Sequence, residues 1–229
     1  MNRIAATLVA LAMGATLFAG LPGPARASGT EYVAVSGRTY AGAHAADCNG
    51  TAHKTDGIND HSEVSDAFEL AGDGGTVHFC AGTYTFGNNV EAVGDYTIEG
   101  DGASATTIDG GDTTRLFRIV GALDVAKLTL QHARSHDREG GAIWANGAVT
   151  AVDTNFNHNF ADKGGGAIAI DQEGTASISV VRSVFDANTA LDTGGALATY
   201  GMVFATDSTF TDNASIADET CVGGGGAIA

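Results

Sequence analysis

The chain has 229 residues, 17% of them charged, with 27 acidic side chains against 11 basic ones and a formal net charge of −16. That balance repels phosphate backbones and anionic membrane surfaces, so nucleic-acid binding is excluded as a function class. No proline-rich or charged linker divides the chain, which reads as one domain over 28–229.

Residues 1–27 have the pattern of a secretory signal peptide: Arg3, then an apolar run from Ala5 to Leu21, then Ala25-Arg26-Ala27 as a small-x-small cleavage site. The run is interrupted by glycine and is at the short end for a bilayer span, so cleavage is preferred to a retained anchor. No transmembrane segment is expected after cleavage. In an exported chain, Cys48 and Cys80 are expected to form a disulfide; the alternative is two buried thiols. Cys221 is left over, and no Cys-x-x-Cys spacing points to zinc.

Residues 62–71 predict the one convincing helix. Val64, Ala67, Phe68 and Ala71 share a face, Ser62 is placed to cap the start and Gly72 to end it. The segments Thr76–Phe79, Tyr96–Gly102 and Leu123–Leu130 then read as strands of degenerate repeats.

From residue 140 the repeat is explicit. Gly-Gly-Ala-(Ile/Leu) occurs at Gly140-Gly141, Gly165-Gly166, Gly194-Gly195 and Gly225-Gly226, with offsets of 25, 29 and 31 residues between the alanines Ala142, Ala167, Ala196 and Ala227. Between these lies Phe-x-x-Asn, at Phe156 and Asn159, Phe185 and Asn188, and Phe210 and Asn213. Apolar and small polar residues alternate through Val152–Phe156, Val181–Phe185 and Thr206–Phe210, which is strand periodicity, and no amphipathic helix fits inside a unit. A unit of about three short strands that repeats in register is a coil of a parallel β-helix, in which like residues stack on like. The phenylalanines then form an interior column and the asparagines an amide ladder. Gly141, Gly166, Gly195 and Gly226 belong to the same structural repeat.

These motifs, over about residues 130–229, resemble the repeat of the chlamydial polymorphic outer-membrane proteins. More broadly they resemble the right-handed parallel β-helix, or pectin-lyase-like, superfamily. The resemblance implies an all-β solenoid with an N-terminal capping helix, and at about 25 residues each, residues 31–229 hold roughly seven coils. Ending at Ile228-Ala229, one strand into a new coil, the chain reads as truncated. The resemblance also implies an exported, secreted or cell-surface protein acting as scaffold, adhesin or carbohydrate-binding surface without catalysis. A polysaccharide lyase or glycoside hydrolase of the same fold is the alternative.

The densest polar cluster is His132-Ala133-Arg134-Ser135-His136-Asp137-Arg138-Glu139, expected in an outer turn in place of the Phe-x-x-Asn bend. Arg134, Asp137 and Arg138 are the weak catalytic candidates, with a solvated loop as the plainer alternative. Asp153, Arg182 and Asp207 are expected to pair across strands. His158 with Asp162, and Asp186, Asp192 and Asp212, are weaker site candidates, and Trp144 is either a sugar platform or an edge residue. No cofactor is called for; calcium suits the acidic surface, although the Gly-x-Gly-x-Asp calcium-roll signature is absent. A glycan or cell-surface ligand is the expected partner.

Overall fold

A computed structural model describes residues 29–35, 47–48, 52–55, 60–136, 138–171, 176–216 and 226–229. The signal-peptide residues, Asp137 and Cys221 lie outside them.

The described strands pair in parallel and stack into four sheets. The eight-stranded sheet carries Gly75–Phe79, Tyr96–Gly100, Leu123–Ala126, Val149–Val152, Ile178–Val181 and Val203–Thr206 in order, with Thr30–Ala34 and His53–Lys54 added at its first edge. The six-stranded sheet runs from Gly82–Thr85 to Thr209–Thr211, and the five-stranded sheet from Val90–Val93 to Leu197–Ala198. A four-stranded sheet of two-residue strands, Arg134–Ser135 to Ala214–Ser215, closes the later coils. The chain is therefore a parallel β-helix, with four strands in a later coil where the periodicity predicted about three. Five coils contribute to all three longer sheets, and the sixth reaches the five-stranded sheet only through the bridge from Ile228 to Leu197. The expectation of about seven coils was too high, because the described residues before residue 75 form edge strands and a helix instead of further coils.

Register does what the repeat requires. Phe156, Phe185 and Phe210 are paired in sequence across neighbouring coils, with ring centroids 4.6 and 4.8 Å apart and planes within 3° and 5° of parallel. Those separations match the ordinary interstrand spacing, so the rings stack because their backbones do. Asn159, Asn188 and Asn213 form the ladder: each Oδ1 accepts the backbone N–H of the residue one coil earlier, at 3.0, 3.1 and 3.0 Å for Ala133, Asn159 and Asn188. In the preceding coil the Phe and Asn positions are held by Leu130 and Ala133, so the bend persists there and the polar cluster follows it.

One feature departs from the strand periodicity. The runs through Asp153, Arg182 and Asp207 are corners, since these residues adopt left-handed φ values of 51°, 47° and 51°. A second ladder holds the corners. Thr154 N donates to Ser183 Oγ and Ser183 N to Ser208 Oγ, while each hydroxyl donates back to a carbonyl two residues earlier. These bonds offset the cost of a left-handed non-glycine residue, about 1–3 kcal/mol. Arg182 and Asp153 do pair, at 2.7 and 2.8 Å, but both are exposed and add little stability.

The helix spans His61–Ala71 and buries Val64, Ala67, Phe68 and Ala71, as its spacing predicts. The cap differs: the N-cap is Asp60, one residue before the helix, and Ser62 lies inside it. The Asp60 carboxylate instead accepts Thr85 N at 3.0 Å, tying the helix start to the first coil. Phe68 packs 4.9 Å from Tyr96 and 6.0 Å from Phe117, which seals the apolar end of the solenoid.

Cys48 and Cys80 form the expected disulfide, their Cα atoms 5.7 Å apart and 32 residues apart in sequence. The closed loop restricts the unfolded chain, so the double substitution C48S/C80S is expected to cost about 3–4 kcal/mol. Urea unfolding followed by circular dichroism measures this, and a change below about 1 kcal/mol refutes it.

Candidate functional site

Strands of the five-stranded sheet alternate inward and outward. Phe117, Ile119, Ile143, Ala145, Ile168 and Leu197 fill the core. The residues between them form a register column on the outer face: Glu91, Arg118, Trp144, Ala169 and Ala198. The Arg118 guanidinium lies 4.7 Å from the centre of the Trp144 ring. One coil further the column drops from an indole to a methyl. That step leaves a hollow of about 230 Å³ floored by Ala169 and Ala198, bordered by Glu139, Thr193 and the exposed Tyr200.

A second hollow of about 140 Å³ lies beside it and shares Glu139 as a wall; Arg115, Arg118, Arg138, Trp144 and Asp171 complete it. A third, of about 180 Å³, shares Arg115 and Arg138 and adds Arg134, Ser135 and His136. Arg115 is the buried anchor at 7% exposure. Its Nε donates to Gly140 O at 2.9 Å and its terminal nitrogen to Glu139 O at 2.5 Å, both one coil onward. Burial, with the Arg138 and Arg118 charges beside it, lowers its guanidinium from its ordinary value to about 10, so it remains a cation at neutral pH.

The sequence-stated candidates divide. Arg134 and Arg138 meet at the third hollow, while Asp137 is outside the described residues. The Arg134 guanidinium sits 4.4 Å from the Phe160 ring centre and 3.8 Å from Asp162. His158 instead stacks at a tilt on His132, 5.7 Å away, so His158 and Asp162 have different partners. Among the described residues, Asp186, Asp192 and Asp212 form no metal-holding group. The group that does cluster is Cys48, His78 and Asp101, within 4.8 Å, but Cys48 is tied up in the disulfide. His78 Nε2 and Asp101 Oδ1 are hydrogen-bonded at 2.9 Å. Burial pushes the Asp101 carboxyl up, but the bonds from His78 and Ala81 N and the His78 charge outweigh it, so the net shift is downward.

Arg115 and Arg118 were missed by motif reading because their own coil shows no glycine pair. Coil offset was the available signal. Arg118 precedes Trp144, and Arg115 precedes Gly140, by about one repeat period.

The family model of the Chlamydia polymorphic membrane protein (Chlamydia_PMP) repeat matches residues 153–171. That stretch runs from one left-handed corner through Phe156 and Asn159 to Gly165-Gly166-Ala167-Ile168. No curated protein and no solved structure matches the chain. Among the described residues, no helix is long and apolar enough to cross a membrane. The stacked coils and the matched repeat together identify the chain as a parallel β-helix with repeats like those of the polymorphic membrane proteins.

Proposed function

We propose that the chain is an exported, surface-displayed β-helix that binds glycans on the outer face of its five-stranded sheet without chemically altering them. The observation that carries this reading is the step from Trp144 to Ala169 and Ala198, with Tyr200 70% exposed beside the resulting hollow. An aromatic face next to a shallow trough suits a sugar ring, whose C–H face packs on the indole while its hydroxyls meet polar rims. The hollows, at about 230, 140 and 180 Å³, are smaller than the roughly 300–1,000 Å³ of pockets that enclose a ligand, which favours surface capture. Export is supported by the signal-like first 27 residues and by the membrane-protein repeat. Scaffold and adhesin roles are forms of the same surface reading.

A lyase or hydrolase is the second reading, and one observation favours it: Glu139 and Asp171 line a hollow with three arginines, the groups that acid–base chemistry on a sugar uses. A single experiment separates the two. The chain holds one tryptophan, so its fluorescence reports this site directly. Oligosaccharide titration is expected to quench it saturably, and W144A to weaken binding, followed by calorimetry, at least about tenfold. Release of reducing ends, with or without calcium, is expected to be absent. Release that E139Q, D171N or R134A abolishes overturns the non-catalytic reading in favour of the second.

A further inference from the structure

The first two coils bring metal-ligating side chains together on the outer face of the eight-stranded sheet. His78 pairs with Glu99 and Phe79 with Gly100, so Cys80 and Asp101 follow at matching positions one coil apart. Side chains two residues apart in extended chain share a face, which sets His78 with Cys80 on one coil and Glu99 with Asp101 on the next. Cys48, from before the helix, joins them through its bond to Cys80. The Cys48 sulfur, a His78 ring nitrogen and an Asp101 carboxylate oxygen all lie within 4.8 Å of one another. Two of the three are held in place by their neighbours. Asp101 Oδ1 is 2.9 Å from His78 Nε2, and its Oδ2 accepts from Ala81 N at 2.7 Å. His78 Nδ1 faces Glu99 Oε2 at 3.9 Å, and its ring centre is 5.0 Å from that of Tyr32. A carboxylate facing the second ring nitrogen is the arrangement that orients a metal-ligating histidine.

We infer that reduction of the Cys48–Cys80 bond turns this cluster into a four-donor site for zinc, held by both cysteine sulfurs, His78 Nε2 and the Asp101 carboxylate. A dithiol supplies two electrons and two protons, becomes a disulfide itself, and leaves Cys48 and Cys80 as thiols. Zinc then takes both sulfurs as thiolates and releases their protons to solvent. Two thiolates, an imidazole and a carboxylate are the donor types zinc accepts, and it holds them tetrahedrally about 3.3–3.8 Å apart. Donors already within 4.8 Å close on that geometry by about 1–1.5 Å at most. In the oxidised chain neither sulfur is a thiolate, which leaves His78 and Asp101 from the set. The cation therefore clamps the reduced chain where the disulfide clamps the oxidised one, joining the segment before the helix to the first coil in both states. The inference is independent of the glycan reading, which uses the five-stranded sheet.

The test reduces the intact chain with a dithiol, removes the dithiol under nitrogen, and titrates with zinc against a chromophoric chelator and with cobalt(II) as the spectroscopic probe. One cation per reduced chain is expected, with the charge-transfer absorption of cobalt–thiolate bonds, and none per oxidised chain. H78A and D101A are each expected to weaken zinc binding at least about tenfold, the lower end of the loss caused by removing even a supporting partner of a ligand. C48S/C80S is expected to abolish it. C221S and H158Q, which leave the four donors intact, are expected to keep it. Zinc is also expected to raise the urea midpoint of the reduced chain and to leave that of the oxidised chain unmoved, so a variant weakened by reduction still reports. A reduced chain that takes up no cation, an oxidised chain that binds as tightly, unchanged affinity in H78A or D101A, or loss of binding in C221S or H158Q overturns the inference.

Discussion

Gly166→Ala is expected to unfold the chain, or to cost about 5 kcal/mol if a folded fraction survives, a loss comparable to the whole stability of many domains. An added Cβ would overlap Gly195 O and lie 2.5 Å from Thr189 O and 2.6 Å from Thr189 N. All three are backbone atoms, so no side-chain rotation relieves the overlap. The coils would have to separate locally by about 1 Å against a spacing of about 4.8 Å. That opening strains the flanking bonds from Gly165 N to Gly194 O and from Ala167 N to Ala196 O, each 3.0 Å now. The same contact recurs one coil away on either side, where a Cβ on Gly141 would overlap Gly166 O and one on Gly195 would overlap Gly226 O. Gly226 is the control: among the described residues its Cβ would meet only Asn213 O, at 3.8 Å. Gly226→Ala is therefore expected to stay within about 0.5 kcal/mol of the parent. Far-UV circular dichroism and urea titration of both variants decide it. A folded Gly166→Ala protein within about 1 kcal/mol of the parent would show that the second glycine is not a close-approach position.

That contact also explains why the solenoid was so legible. In a stack, a position is constrained twice, by its own coil and by its neighbours, so the residue that fits once must recur at the same phase. Gly166, Phe185 and Asn188 are visible in the sequence for this reason, and the disulfide and the buried helix face followed from ordinary pairing and amphipathic rules. What stayed hidden was set by less selective constraints. The corners at Asp153, Arg182 and Asp207 accept any short polar or long charged residue in the left-handed region, so nothing in their composition announces a break in the strand. Thr154, Ser183 and Ser208 did recur, but small hydroxyl residues suit strands and corners alike, and their ladder is evident only from the bonds. Asp60 outranked Ser62 as the N-cap because the first coil fixes the helix start through Thr85. The arginine patch is assembled from two coils and a connecting loop, each contributing residues that look like solvated surface alone.

Asn188→Ala is expected to cost about 4–6 kcal/mol, because it removes the middle of the amide ladder and strands several buried groups at roughly 1–3 kcal/mol each. Asn188 is fully buried. Its Oδ1 accepts from the Asn159 backbone N at 3.1 Å and from Asn159 Nδ2 at 2.9 Å. Its Nδ2 donates to Phe156 O at 2.9 Å and to Asn213 Oδ1 at 2.9 Å. Alanine leaves the Asn159 donors and the Phe156 carbonyl without those partners, in a space too tight for water to replace them at no cost. Asn188→Asp separates hydrogen bonding from packing. The carboxylate keeps the acceptor side but turns an oxygen towards Phe156 O and Asn213 Oδ1, where only a proton makes a bond. Burial and those two oxygens raise its folded-state pKa above the unfolded value of about 3.9, so its stability is complete below that pH and is lost as pH rises through the folded pKa. The aspartate variant is thus expected to approach the parent near pH 3–4 and to fall furthest behind it at neutral pH, while the alanine deficit stays flat across the range. Urea midpoints measured from pH 3 to 8 read both curves. Parallel curves for the two variants would mean that the side chain fills space at the bend and that its amide hydrogens hold nothing together.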